Sequence, residues 1–220
     1  GDPCGDWGEQ VSVVTNITDG KYGIAGLAPG TYYLRADNRN QSNWVNEWWA
    51  SPASVTDCGD AQGVTVTAGA MNGDNDFQLD LGGSISGKVT LYVEEGTLPP
   101  IENAQVIVYD TDWQWITDTR TNSTGDYTLA GLPEGVDYYV EASGWGDFSG
   151  GWEKIYIMQN YDGSADRENA DPVSVTVNND TGNINFTLQE GGSISGTVTH
   201  DDAAVANANV EVWDSNWNGY

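Results

Sequence analysis

The stretch GGSISGKVT at residues 82–90 decides the fold, because nearly the same nine residues return as GGSISGTVT at residues 191–199. Two further blocks repeat in order: residues 104–113 resemble 208–217, and residues 125–135 resemble 20–30. Ordered self-similarity of this kind is typical of repeat proteins, in which each copy is one structural module. The sequence therefore predicts tandem modules about 109 residues apart.

The order of the blocks predicts how the modules divide the chain. Residues 82–190 contain every block and are expected to form a complete module. Residues 1–81 lack the first two strands, and residues 191–220 supply two such strands for a next module. Either the chain is part of a tandem array, or separate chains join head to tail by strand donation. The apolar residues expected to be donated are Ile194, Val198, Val210 and Val212.

The residue pattern predicts an all-β protein. Short segments alternate apolar and polar residues, as at 84–90 and 105–109, and Gly, Pro and Asn separate them. About seven such segments per repeat are typical of an antiparallel sandwich of immunoglobulin-like or transthyretin-like form. We therefore expect tandem seven-stranded antiparallel sandwiches, one complete and one split between the chain ends.

The motif at residues 125–138, Gly-x-Tyr-x-x-x-Gly-Leu-x-x-Gly-x-x-Tyr, precedes a Phe-x-Leu strand and then Gly-Gly-Ser-Ile-Ser-Gly. It resembles the carboxypeptidase regulatory-like domain, a transthyretin-like (prealbumin-type) sandwich similar in form to collagen-adhesin B-type surface repeats. The resemblance implies a structural repeat of an extracellular filament, stalk or surface polymer, with no catalytic residues. In collagen-adhesin relatives a Lys and an Asn can form an isopeptide bond, for which Lys88 and Asn185 are the candidates. Accessory repeats of a secreted enzyme are an alternative.

The charge excludes several partners. With 33 acidic and 7 basic residues the formal charge is −26, so the chain repels nucleic acid. In addition, no apolar run is long enough to insert into a membrane. The expected partners are copies of the chain itself, with polysaccharide as an alternative.

Cys4 and Cys58 are the only cysteines and are expected to form a disulfide. A disulfide indicates an oxidising compartment, so we expect the protein outside the cell or at its surface. Closing a loop of this length contributes about 4 kcal/mol in the chain-entropy model.

The ten tryptophans concentrate in loops. One interpretation is structural, because large rings hold irregular loops against a sandwich or cover contacts between modules. The other is an aromatic platform for sugar rings. The candidate residues for either role are Trp48, Trp49, Trp113, Trp115, Trp145, Trp152 and Trp217.

Aspartates outnumber glutamates 22 to 11 and cluster in predicted turns. Carboxylate oxygens suit calcium, which is the one candidate cofactor, but Asp also stabilises turns without an ion. The candidate ligands are Asp110, Asp112, Asp214, Asp74 and Asp76. No pair of carboxylates is singled out for catalysis, and no nucleophile elbow or phosphate loop is present.

Overall fold

The computed structural model describes Cys4 and residues 11–16, 18–37, 42–135, 137–143, 156–163, 167–192, 194–201 and 203–213. In this part of the chain the secondary structure is β-strand and short 3-10 helix, which confirms the all-β class. The strands are β1 Gly30–Tyr32, β2 Arg35–Ala36, β3 Glu47–Trp48, β4 Val64–Val66, β5 Gly83–Leu91, β6 Gln105–Tyr109, β7 Trp115–Arg120, β8 Asp126–Leu132, β9 Asp137–Ser143, β10 Gln159–Asn160, β11 Val173–Ser174, β12 Asp180–Thr181, β13 Phe186–Leu188, β14 Thr199–His200 and β15 Ala203–Ala204. The 3-10 helices are Cys58–Asp60 and Arg167–Asn169.

Strands β5 to β13 form a sandwich of two sheets. One sheet has the order β10-β9-β6-β7, with β11 also on β9, and the other has the order β12-β5-β13, with β8 also on β5. The alternating apolar residues of both sheets meet in one core. Its fully buried members include Ile85, Val89, Val106, Val108 and Leu129.

Two details differ from the predicted antiparallel sandwich. Strands β12 and β13 run parallel to β5. Before it reaches them, the chain passes through β9, β10 and β11 of the opposite sheet, and parallel pairing requires a crossover of this kind. Strand β7 lies where a loop was expected. Its inward positions carry Thr117 and Thr119 opposite Val108 and Val106, so the usual apolar alternation is hidden.

Residues 11–81 contain two small sheets, β1-β4 and β2-β3, both antiparallel. Val45, Ala50 and Val64 are the buried apolar residues of this region among those described. A core of this size is much smaller than that of residues 82–190.

The chain divides into two compact units, Gly1–Glu190 and Gly191–Tyr220. In the described part of the second unit, β14 and β15 form a two-stranded antiparallel hairpin. No helix in the described residues is long and apolar enough to cross a bilayer.

Candidate functional site

A tyrosine hydrogen bond occurs at matching places before and after residue 82. Tyr127 donates its hydroxyl to the Ile184 carbonyl at 2.6 Å, and Tyr22 donates its hydroxyl to the Asn75 carbonyl at 2.5 Å. Ile184 and Asn75 each lie two residues before the Phe of the Phe-x-Leu strand. The two regions therefore place this Tyr and this carbonyl in the same way.

The neighbouring rings repeat as well. Tyr127 and Phe186 have centroids 6.3 Å apart at 45°, while Tyr22 and Phe77 have centroids 6.2 Å apart at 54°. Burial raises the pKa of Tyr127 strongly, and burial together with the nearby Asp76 carboxylate raises the pKa of Tyr22.

In each region a second tyrosine forms a hydrogen bond to the segment that precedes its own strand. Tyr138 donates its hydroxyl to the Pro133 carbonyl at 2.9 Å, and Tyr32 donates its hydroxyl to the Ala28 carbonyl at 2.8 Å. Each tyrosine lies opposite a buried Val on the next strand, in the β9-β11 and β1-β4 pairs. Residues 20–81 thus have part of the geometry of residues 125–190.

The segment that follows the Phe-x-Leu strand also pairs alike in both regions. The isolated antiparallel bridges are Trp44 with Leu81 and Tyr156 with Glu190. Beside them, Val45 donates its N–H to the Asp80 carbonyl at 2.9 Å, and Ile157 donates its N–H to the Gln189 carbonyl at 2.8 Å. The same backbone contacts therefore precede both Gly-Gly-Ser-Ile-Ser-Gly motifs.

Residues 11–81 differ from residues 82–190 by the central strands. In the sandwich, β5 lies between β8 and β13, and β6 lies between β7 and β9. The counterparts of β8 and β13 are residues 21–27 and 77–79, which form no strand in the structure. A strand in the place of β5 would give both segments a hydrogen-bonding partner.

The core positions of residues 11–81 are correspondingly more exposed. Partly exposed Ile24, Leu34 and Phe77 occupy the positions of buried Leu129, Val140 and Phe186. Sequence alone cannot show this difference, because the residue types are alike.

The predicted donor residues are exposed, whereas the matching residues of the complete sandwich are buried. Ile194, Val198, Val210 and Val212 are 82%, 43%, 71% and 47% exposed, whereas Ile85, Val89, Val106 and Val108 at the matching positions are each 0% exposed. Transferring a side chain of this size from water to a core contributes about 1.5–3 kcal/mol. These four residues therefore favour burial against another surface.

The disulfide between Cys4 and Cys58 is present, with the two Cα atoms 5.4 Å apart. Asp57 lies beside both sulfur atoms, but sulfur atoms in a disulfide are not thiolate ligands. This contact group is consequently a covalent link and not a metal site.

Asp110 stabilises the turn between β6 and β7. Its Oδ1 accepts hydrogen bonds from the N–H groups of Asp112 and Gln114, at 2.9 and 2.8 Å. Side chains of this type commonly cap turns without an ion. The proposed calcium role of Asp110 and Asp112 stays a prediction.

Asp74 occupies a turn position with φ of 62°, and Asn183 has φ of 65° at the matching position 109 residues later. Asp and Asn tolerate this left-handed conformation better than most residues. Asp76 acts on the phenol of Tyr22, as noted above. Asp214 lies outside the described residues.

Trp113 belongs to an aromatic cluster on the outer face of the β6-β9 sheet. Its ring stacks on Tyr139 with centroids 4.5 Å apart, and the Arg167 guanidinium lies 4.7 Å from its centroid. Arg167 also forms an ion pair of 3.3 Å with the buried Glu141 carboxylate. Burial, followed by the Glu141 charge, raises the pKa of Tyr109 in the same cluster.

Tyr139, Glu141 and Arg167 were not predicted from the sequence. Tyr139 directly follows a repeated tyrosine and could have been found by its outward position beside Tyr109. Arg167 lies 26 residues from Glu141 in the chain, and no local pattern links the two. The contacts of Trp113 support the structural interpretation of this residue.

The other tryptophans have different environments. The Arg35 guanidinium lies 5.8 Å from the Trp48 ring, and Trp49 is partly buried after β3. Trp115 begins β7 and is 53% exposed, so it lies on a strand and not in the expected loop. Trp145, Trp152 and Trp217 lie outside the described residues.

Lys88 and Asn185 are neighbours on β5 and the segment before β13. Asn185 accepts a hydrogen bond from the Lys88 backbone N–H at 2.9 Å, whereas the Lys88 ammonium lies 2.6 Å from Asp126 and 2.5 Å from the Thr124 carbonyl. The hydrogen bond from Lys88 lowers the pKa of Asp126. In this arrangement the ammonium is engaged by Asp126.

No family model matches the chain, and no curated protein matches it. A search of solved structures found GBS52, the minor pilin of the Gram-positive pathogen Streptococcus agalactiae, with 13% identity and a TM-score of 0.33. The match covers 62% of each chain, so this chain spans about three fifths of the pilin chain.

Proposed function

We propose that this chain is a structural, non-catalytic repeat unit of an extracellular filament, stalk or surface polymer, and that its partner is another copy of itself. The supporting observation is that the same apolar positions are buried in residues 82–190 and exposed in residues 191–213. Residues 11–81 have an incompletely covered core, because their core positions are more exposed than those of the complete sandwich.

The repeated contacts support a serial arrangement. The bridges of Trp44 with Leu81 and of Tyr156 with Glu190 precede the two glycine-rich motifs in the same way. We therefore propose that residues 191–213 begin a module whose remainder resembles residues 11–81. Such a module forms by head-to-tail complementation between chains or as part of a tandem array.

The disulfide and the charge support the proposed location outside the cell. Cys4 and Cys58 are joined, and disulfides persist in oxidising compartments. A net charge of −26 keeps units soluble through mutual repulsion, so salt should promote their association.

Sedimentation velocity of the intact chain tests the proposal. We expect a series of larger species to grow with protein and salt concentration, and electron microscopy of these species should show linear particles. The matched control is the chain without residues 191–220, which should not form the series. An intact chain that stays monomeric at every concentration would contradict head-to-tail assembly.

Polysaccharide binding is the alternative that the exposed tryptophans favour. Trp44 and Trp115 are 45% and 53% exposed, unlike the stacked Trp113. Retention in native gels containing polysaccharide, lost on Trp115→Ala but kept on Trp113→Ala, would support this role. Equal migration with and without a broad set of glycans would exclude it. Calcium binding and service as accessory repeats of an enzyme stay predictions.

A further inference from the structure

Three glycines of β5 and its approach are required by close packing. A Cβ atom at Gly82 would lie 2.6 Å from the Leu132 carbonyl oxygen, and one at Gly83 would lie 2.3 Å from the Thr176 carbonyl oxygen. Real Cβ atoms do not approach backbone atoms so closely. The glycine-rich motif therefore indicates a strand that packs tightly between other segments.

Gly87 is the most restricted of the three. A Cβ atom there would lie 1.9 Å from the Ile184 carbonyl oxygen and 3.1 Å from Cε1 of Tyr127. The Tyr127 hydroxyl donates to this same carbonyl. Gly87 thus leaves the space in which the tyrosine reaches its acceptor.

The matching glycines of the second motif have no such neighbours. A Cβ atom at Gly192 or Gly196 would meet no described atom within 4 Å. The Tyr22 and Asn75 pair, which repeats the contact beside Gly87, is formed in residues 11–81. One region therefore has the glycine-rich motif without its surroundings, and the other has the surroundings without the motif.

We propose that residues 194–199 of one copy lie between residues 21–27 and 77–79 of a second copy, with Gly196 against the Tyr22 ring. This inference rests on the proposed self-assembly and adds the docking site and its register. The occupant is a second copy of this chain, because its residues 191–199 carry the glycines and apolar residues that the site requires.

The complete sandwich gives the register. Ile85 lies opposite Leu129 in the antiparallel pair, so Ile194 lies opposite Ile24. Val89 is paired with Phe186 in the parallel pair, so Val198 lies beside Phe77. Both donated side chains then enter the core positions that are incomplete in residues 11–81.

The second donated segment lies on the other sheet. Val106 and Val108 pair with Ala142 and Val140, whose counterparts are Ala36 and Leu34. Among the described residues, β2 pairs with β3 alone, so its other edge is open. Val210 and Val212 occupy this edge and meet the first donated strand across the core.

Gly196→Val tests the site, with Thr197→Val as the matched control. Gly196 has open space in the isolated chain, so valine there should leave the unfolding of a single chain unchanged. In the complex, valine overlaps the Tyr22 ring and should weaken association by about tenfold or more. Thr197 corresponds to the half-exposed Lys88, so valine at this position should leave association unchanged.

Cross-linking tests the register separately. A chain carrying Ile24→Cys, mixed with a chain carrying Ile194→Cys, should form a disulfide-linked dimer on mild oxidation, since directly opposite Cβ atoms lie about 5 Å apart. Ile24→Cys mixed with Val198→Cys should not, because four strand residues add about 13 Å.

The outcomes separate the site from the function. If the wild-type chain associates while Gly196→Val associates equally well and the first cysteine pair gives no dimer, the register is wrong although self-assembly stands. If the wild-type chain and all variants remain monomeric, complementation between copies is wrong as well.

Discussion

Residues 82–90 and 191–199 are identical at eight of nine positions and differ only at Lys88 and Thr197, yet their environments are opposite. In the first segment Ile85 and Val89 are fully buried, and in the second Ile194 and Val198 are exposed. The sequence of a strand determines which face is apolar, but neighbouring strands determine whether that face is buried.

Strand β5 lies between other strands of its sheet, which explains why the environment of its residues depends so strongly on its neighbours. Strand β5 pairs with β8, β12 and β13, so its removal leaves the partner segments without a ladder. Residues 21–27 and 77–79 keep the Tyr22 contacts but form no strand. The contrast between the two regions can be tested by matched changes.

The largest expected effect comes from Ile85→Ala. Removing a buried isoleucine side chain costs about 2–5 kcal/mol, so the unfolding midpoint of residues 82–190 should fall sharply in urea. Ile194→Ala should leave unfolding of the dilute single chain unchanged and weaken only association. Equal destabilisation by both substitutions would remove the contrast.

Replacing both Cys4 and Cys58 by serine tests whether residues 42–81 and the complete sandwich depend differently on the disulfide. The chain-entropy model assigns about 4 kcal/mol to closing this loop, and the sandwich at 82–190 contains no cysteine. We expect hydrogen exchange to accelerate in residues 42–81 and to stay unchanged in β5, β6 and β8. Mass spectrometry of peptides from each region measures this difference, and a uniform acceleration would contradict it.

Alkaline pH should act mainly on the complete sandwich. Burial raises the pKa of Tyr127 above the ordinary value near 10, so its contribution to stability is complete below pH 10 and is lost as pH rises through the raised pKa. Above pH 10 this one phenol should lower the unfolding free energy by about 1.4 kcal/mol per pH unit. Urea midpoints from pH 9 upward measure the slope, which Tyr127→Phe should reduce.

The smallest expected effect is that of Asp110→Ala. Loss of two turn hydrogen bonds should cost about 1 kcal/mol in the β6-β7 turn, and Asp110→Asn should recover most of it because an amide oxygen also accepts. A chelator should leave the melting temperature of the wild type unchanged if the turn alone explains Asp110. A fall in melting temperature that calcium reverses would instead support the calcium prediction.

The fold was predictable where side-chain alternation is strong. The bounds of β6 agree with the predicted segment 105–109, and β5 extends the predicted segment by one residue at each end. Strand β7 was missed because its inward positions are threonines, which carry no strong apolar signal. Parallel pairing of β13 with β5 joins the two ends of the sandwich and leaves no trace in local alternation.

The candidate site was predictable only in part. The repeated motif identified Ile194, Val198, Val210 and Val212, but their exposure depends on which strands are present. The restricted space at Gly87 comes first from the Ile184 carbonyl and then from the Tyr127 ring, and both residues are distant from Gly87 in the sequence. Such constraints become visible only when the strands of the sheet that contains β5 are assembled.

Hydrogen exchange at increasing protein concentration tests complementation most directly. We predict that residues 21–27, 77–79 and 194–212 become protected together over one concentration range, while β5 and β6 are protected throughout. Protection that stays absent from these three segments in concentrated samples, or that arises in only one of them, would contradict the account.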